Sequence, residues 1–156
     1  MPDNNSQYPP VAFYFAVYID GIKRNSGDNS FQEVSGLTAE LETEDVEEGG
    51  ENRFVHHLPK QIKHPKLVLK RGIAEKKSSL VSWCMEVLES DFNISFSTKD
   101  IRVYLLGRKG GKDALRGWSL NNALPVSWET EPFNSTKNEV AIEKIELSYN
   151  ELKRTV

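Results

Sequence analysis

Residues 47–72 read E-E-G-G-E-N-R-F-V-H-H-L-P-K-Q-I-K-H-P-K-L-V-L-K-R-G, and the reading of the whole chain turns on them. The stretch opens acidic, with Glu47, Glu48 and Glu51 around Gly49-Gly50. It then turns basic through Arg53, Lys60, Lys63, Lys66, Lys70 and Arg71. Pro59 and Pro65 exclude a helix through its middle, because proline lacks the N–H and its ring disfavours a helical residue before it. Leu67, Val68 and Leu69 close it with strand-forming residues. The remainder holds too few apolar side chains to bury itself. A long segment of this kind inside a compact domain is uncommon without a function, and it reads as an extended arm that lies on another copy of the same chain.

Around the arm the sequence is that of an ordinary β domain. Residues 1–10 are rich in Asn, Ser, Pro and Gln and read as a flexible leader, leaving 11–156 as a single domain with 47–72 as its arm. In 13–20, Phe13, Phe15, Val17 and Ile19 alternate with Tyr14, Ala16, Tyr18 and Asp20, a strand ended by Asp20-Gly21. Residues 23–30 form a loop. A second strand is expected over 34–46, with Leu37, Ala39 and Leu41 on a buried face and Glu40, Glu42 and Glu44 on an acidic one. One helix is expected over 79–89. There Leu80, Trp83, Cys84, Val87 and Leu88 make an apolar stripe and Ser78 or Ser79 can cap the start. At 1.5 Å per residue it is about 16 Å long, enough to plug one end or side of a small barrel.

Further strands are expected at 100–108, with Ile101, Val103 and Leu105 on one face, and at 117–120 and 123–129, joined by a turn at Asn121-Asn122. The last, 139–149, divides its faces poorly. Val140 and Ile142 are out of phase with Ile145 and Leu147, so either a bulge lies near Glu143-Lys144 or both faces are covered. The sum is a mainly β chain of two packed antiparallel sheets, barrel or sandwich, with one flanking helix.

Composition narrows the function classes. The chain has 156 residues, 38% of them apolar, which is enough for one core. Its net charge of −3 exerts no general pull toward nucleic acid or anionic membrane. No apolar run approaches the roughly 20 residues of a membrane span, so direct membrane insertion is not expected. The first ten residues carry no Lys or Arg and do not resemble a secretory signal, which makes cytoplasmic synthesis the default. Cys84 is the single cysteine, so an intramolecular disulfide is excluded.

A metal site would pair two of His56, His57 and His64 with Glu48 or Glu51, yet neighbours on a strand point to opposite faces, and the histidines read better as exposed or interfacial. Cys84 lies on the apolar stripe and reads as a small buried hydrophobe. The G-R-K-G-G-K run at 107–112 lacks phosphate-loop spacing and reads as a hairpin turn. Neither a catalytic constellation nor a cofactor motif can be singled out, and the expectation is a non-enzymatic protein without a cofactor.

Five motifs then stand in order: F-Q-E-V-S-G-L at 31–37, E-G-G-E-N at 48–52, V-L-K-R-G at 68–72, W-S-L-N-N-A-L-P-V-S-W at 118–128 and N-E-V-A-I-E-K-I-E-L at 138–147. Together they resemble the tail tube proteins of contractile phage tails and of phage-derived extracellular contractile injection systems, over residues 13–152. The sequence departs from the family pattern at Leu58-Pro59-Lys60, where L-P-G is frequent, and at His64-Pro65. The resemblance implies a barrel-like fold related to the tube protein of type VI secretion, and six-subunit rings stacked into a hollow tube inside a sheath. The arm would lengthen a sheet toward neighbouring subunits. It also implies a sheath protein, baseplate and tube-terminating proteins as partners, and cargo effector or DNA in the lumen. The particle would be assembled in the bacterial cytoplasm, then released or anchored to a membrane. A tube-initiator or baseplate-adaptor ring of the same fold is the alternative. The expected subunit-interface residues are Glu47, Glu48, Gly49, Gly50, Glu51, Asn52, Lys60, Lys63, Lys66, Lys70 and Arg71, the acidic head of one arm pairing with a basic tail. Glu40, Glu42 and Glu44 are the candidates to face the lumen.

Overall fold

In chain order the elements are β1 (Phe15–Ile19), β2 (Glu33–Ser35), β3 (Glu40–Val46), β4 (His56–Lys63), β5 (Leu67–Gly72), α1 (Ser79–Glu89), β6 (Lys99–Leu106), β7 (Ala114–Thr130), β8 (Ile142–Ser148) and β9 (Glu151–Arg154). They come from a computed structural model that describes residues 15–23, 30–46, 49–50, 55–73, 78–90, 97–107, 114–137 and 140–156, to which every structural statement refers. The leader at 1–10, the start of the first expected strand, and most of the 23–30 loop and the 107–112 turn lie outside them.

Two antiparallel sheets share one strand. β1, β6, the first half of β7 and β9 make one sheet; the second half of β7, β8, β5 and β2 make the other. β7 is a single strand, where the sequence suggested two strands and a turn at Asn121-Asn122. The register explains the difference. Lys99 pairs with Ala123 and Ile101 with Leu120, so β7 carries one extra residue at this point, a bulge that bends the strand without reversing it. Asn122 takes the left-handed backbone conformation, φ 54°, and its N–H donates to Asp100 Oδ1 at 2.9 Å. On the neighbouring chain path Asn150 N–H donates to Asn121 O at 3.0 Å, where β8 gives way to β9. Both strands therefore turn the corner between sheets at one level.

The core fills the space between the sheets. Val17, Ile19, Ile101, Val103 and Leu120 face in from the first, and Leu67, Leu69, Ile145 and Leu147 from the second. Each such side chain contributes about 1.5–3 kcal/mol by leaving water. α1 adds Leu80, Trp83 and Cys84, with Val87 partly buried beside them. Its cap is Ser78, whose Oγ accepts from Val81 N–H at 3.2 Å. Trp83 Nε1 donates to Ser97 O at 2.8 Å, fixing the helix to the segment before β6. Leu88, expected in the stripe, is exposed.

β8 resolves the phase ambiguity of the last strand. Its inward residues are Glu143, Ile145 and Leu147, in clean alternation. The bulge lies in the partner strand, where Pro125 pairs with Leu147 and Ser127 with Glu146. Val140 precedes the strand and is exposed.

The strand expected over 34–46 is interrupted. Gly36 takes φ +92°, and a Cβ there would stand 2.1 Å from Lys66 O. Only β2 joins the body, paired with β5, and the buried face expected for Ala39 and Leu41 is exposed instead. β3 pairs with β4 as a separate two-stranded hairpin. The arm thus starts earlier and ends sooner than the sequence suggested: it is β3 and β4, while Leu67–Gly72 is a core strand of the body.

Candidate functional site

β3 and β4 pack on each other rather than on the body, and nearly all their residues are exposed. Cross-strand pairs share a face. Leu41 with Ile62, Thr43 with Pro59, and Asp45 with His57 define one side of the hairpin. Glu40 with Lys63, Glu44 with Leu58, and Val46 with His56 define the other. The register slips between Leu41 and Thr43, where β4 has an extra residue, and Pro59 is tolerated beside that irregularity in a sheet of only two strands.

The charges on the second side are paired within the hairpin. Lys63 Nζ bonds Glu42 Oε1, and Lys60 Nζ lies 3.7 Å from Glu44 Oε2. The Glu42 hydrogen bond, and then its charge and that of Glu40, hold the Lys63 ammonium above the ordinary lysine value. On the first side His57 Nδ1 and Asp45 Oδ1 are 2.6 Å apart. Glu40, Glu42 and Glu44 do share one face, as the alternation predicted.

The other expected interface residues divide three ways. Gly49 and Gly50 are exposed in a turn, Gly50 at φ +98°. Glu47, Glu48, Glu51 and Asn52 lie outside the described residues. Lys66 and Lys70 belong to the body. Lys66 Nζ is 3.8 Å from Glu146 Oε2, and Lys70 Nζ sits 3.8 Å from Glu33 and 3.5 Å from Glu131. Lys144 continues this charge lattice between Glu129 and Glu146, whose hydrogen bonds, Glu146 first, raise its pKa.

Arg71 is inside the protein rather than on an interface of the free subunit, 2% exposed. Its Nε donates to Glu143 Oε1, its Nη2 donates to Ser78 Oγ at 2.8 Å, and the guanidinium stands 5.9 Å from the Phe31 ring centre. Trp128 Nε1 donates to Glu143 Oε2 at 3.0 Å. A buried ion pair thus ties β5, β8, β7 and the cap of α1 together.

His56 and His57 are exposed on opposite sides of β4. His64 differs from the expectation of an exposed or interfacial ring: it packs 5.6 Å from Tyr149, with its Nδ1 buried. Burial pushes the Cys84 thiol up to about 12, helped by the Glu143 charge. Among the described residues, no group of three or more His, Cys, Asp or Glu side chains is arranged to hold a metal ion, and no helix is long and apolar enough to cross a membrane.

Sequence reasoning missed the exposed apolar side chains. Leu41, Val46, Val55, Leu58 and Ile62 stand out on or beside the hairpin, and Ile73, Phe133 and Val140 cluster at the far end of the second sheet. The signal for the hairpin group was available: apolar residues on both of its strands, with no further element to cover them.

The fold and these surfaces can be set beside known proteins. A chain in the six-fold symmetrised baseplate of the anti-feeding prophage (AFP) superposes with a TM-score of 0.78 at 29% identity, over 96% of this chain and 97% of that one. A chain in the PVC sheath–tube complex, an extracellular contractile injection system in its extended state, gives 0.77 at 24%, over 96% and 93%. A type six secretion system protein gives 0.61 at 14%, over 92% and 83%, a likeness of fold. No curated protein sequence matches. The family model described as T4-like virus tail tube protein gp19 matches residues 11–153, and the chain belongs to that tail tube family.

Proposed function

We propose that this chain is a structural subunit of the inner tube of a contractile injection system or phage tail. Six copies close a ring, and rings stack around a lumen that passes cargo effector or DNA. The observation that carries the reading is the β3–β4 hairpin: an exposed, partly apolar two-stranded sheet projecting from a body whose own core is complete. An exposed strand pair of this kind invites pairing with other chains, and a head-to-tail contact that closes on itself gives a ring. Membership of the tail tube family supports the reading.

Within this reading Lys60 and Lys63 set the hairpin's own register, since their partners Glu44 and Glu42 are on the same hairpin. Its charged side, with Glu40, Glu42 and Glu44, faces the lumen, where negative charge keeps anionic cargo from adhering. Gly49 and Gly50, in their turn, meet a neighbour, and Glu47, Glu48, Glu51 and Asn52 are proposed as contacts of the same interface. The sheath, baseplate and tube-terminating proteins are the proposed partners. The particle is assembled in the bacterial cytoplasm.

The test is to replace residues 41–62 with a short Gly-Ser link and examine the purified protein by negative-stain microscopy. Folded protein without tubes is expected. Normal tubes from that variant would overturn the assignment. A second reading, an initiator or adaptor ring joining baseplate to tube, is favoured by the likeness to the chain in the AFP baseplate. Single rings that bind baseplate components without stacking would select it.

A further inference from the structure

His64 stands where the hairpin joins the body. The chain crosses between them twice. One crossing is at Gly36, between β2 and β3, and the other is His64-Pro65-Lys66, between β4 and β5. The two crossings touch, since a Cβ on Gly36 would stand 2.1 Å from Lys66 O. Tyr149 holds both. Its ring centre lies 5.6 Å from that of His64, and its hydroxyl donates to Gly36 O at 3.5 Å. Tyr149 is 8% exposed, and burial raises its pKa, so the phenol stays neutral. Pro65 fixes its own φ and disfavours a helical His64, which leaves this crossing little freedom while the imidazole is packed.

Among the described residues, His64 Nδ1 is the buried side-chain nitrogen or oxygen without a hydrogen-bond partner. A neutral imidazole tolerates that position, because one of its nitrogens carries a lone pair and no proton. A protonated one does not. Both nitrogens then donate, and Nδ1–H becomes a charged donor without an acceptor. The charged groups about the neck do not supply one. Lys63 and Lys66, on the segment of His64 itself, are positive. Glu42, on β3, bonds Lys63, with the charge of Glu40 beside it, and Glu146, on β8, lies 3.8 Å from Lys66 Nζ. On the remaining packed segment the titratable group is Tyr149.

We propose that His64 is a pH-sensitive latch for the hairpin. With the ring neutral, it packs on Tyr149 and the hairpin keeps one orientation on the body. When the ring gains a proton it leaves Tyr149 to reach water. Both crossings then lose their common support, and the hairpin swings about Gly36. The open neck accepts the proton and the closed neck excludes it. Lowering the pH through the range in which histidine changes charge, about 5 to 8, therefore favours the open neck, and raising it restores the closed one. The inference concerns the single subunit and does not depend on what the hairpin meets in an assembly.

The test uses the full chain, dilute and unassembled, with Thr43→Cys on β3 and Lys153→Cys on β9 carrying spin labels. Both positions are exposed, and Cys84 is buried and stays unlabelled. Label-to-label distances from pulsed electron resonance should form a narrow distribution at about pH 7.5 and one about twice as wide at about pH 5. On this background His64→Phe keeps a ring that gains no proton and should give the narrow distribution at both pH values. His64→Lys carries its charge throughout and should give the broad one at both. Replacing His56 and His57 by Gln should leave the response of the labelled parent intact. A parent distribution of equal width at the two pH values would overturn the latch. So would a broadening that survives in His64→Phe or vanishes with His56 and His57. If His64→Lys unfolds the body, the other three chains still decide the question.

Discussion

Arg71 and Glu143 face each other directly across β5 and β8, both about 2% exposed, with Nε and Oε1 2.5 Å apart. Their separation of 72 residues makes the pair a long-range tie between the middle of the chain and its last quarter. Removing one partner leaves the other charge buried and unmatched. Glu143→Leu or Arg71→Leu should each cost about 3–5 kcal/mol, and the double substitution much less than their sum. Urea unfolding of the unassembled chain measures all three. Additive costs would show that the two side chains do not act as a pair.

Cys84 offers a pH-dependent check on the same region. Its thiol is pushed up to about 12, first by burial and then by the charge of Glu143, so the folded state holds its proton where the unfolded chain has released it. Stability from this residue is complete below the unfolded thiol's value of about 8.5 and declines as pH rises from there toward 12. Cys84→Ala should flatten the alkaline limb of the stability curve. At pH 8 a thiol reagent such as DTNB should react with the unfolded chain and leave the native one unmodified.

Gly36 sets where the hairpin leaves the body. Gly36→Ala meets a left-handed backbone, which costs on the order of 1–3 kcal/mol, and also places a methyl 2.1 Å from Lys66 O. The melting temperature should fall, and proteolysis should reach β2 sooner than in the parent. An unchanged melting temperature would mean that the neck relaxes freely.

Asn122 holds the corner of β7 at φ 54°. Asn122→Gly should be nearly neutral, whereas Asn122→Val should lose about 1–2 kcal/mol from the left-handed conformation. Thermal unfolding followed by circular dichroism distinguishes them.

These sites also show which parts of the fold were legible in the sequence. α1 was readable to the residue because the apolar spacing of Leu80, Trp83, Cys84 and Val87 and the serine cap agree. β1 and β6 followed from alternation in the same way, whereas β5 was read as the closing strand of the arm and is a core strand of the body. β7 was read as two strands because Asn-Asn signals a turn, and local sequence does not distinguish a left-handed residue that reverses the chain from one that bends it. The hairpin was recognised as an arm but not as a strand pair: His56–Lys63 contains Pro59 and no β-branched run, and its pairing is set by β3 across the turn. Arg71 was placed on a subunit interface because it ends the basic run of the arm. The clue lay in β8, where Glu143 shares the phase of the buried Ile145 and Leu147. The exposed cluster of Ile73, Phe133 and Val140 had no sequence signal, since it is assembled from three separate chain segments.

The shared strand β7 has a mechanical consequence. Two sheets held by side-chain contacts alone can slide over one another under shear, since those contacts are non-directional. Here β7 is hydrogen-bonded into both sheets, and β8 with β9 follows it around the same corner. Displacing one sheet against the other therefore requires breaking several backbone ladder bonds together. A thrust delivered to one face of the subunit is carried to the opposite face through covalent chain and hydrogen bonds, so the body transmits force as one stiff block.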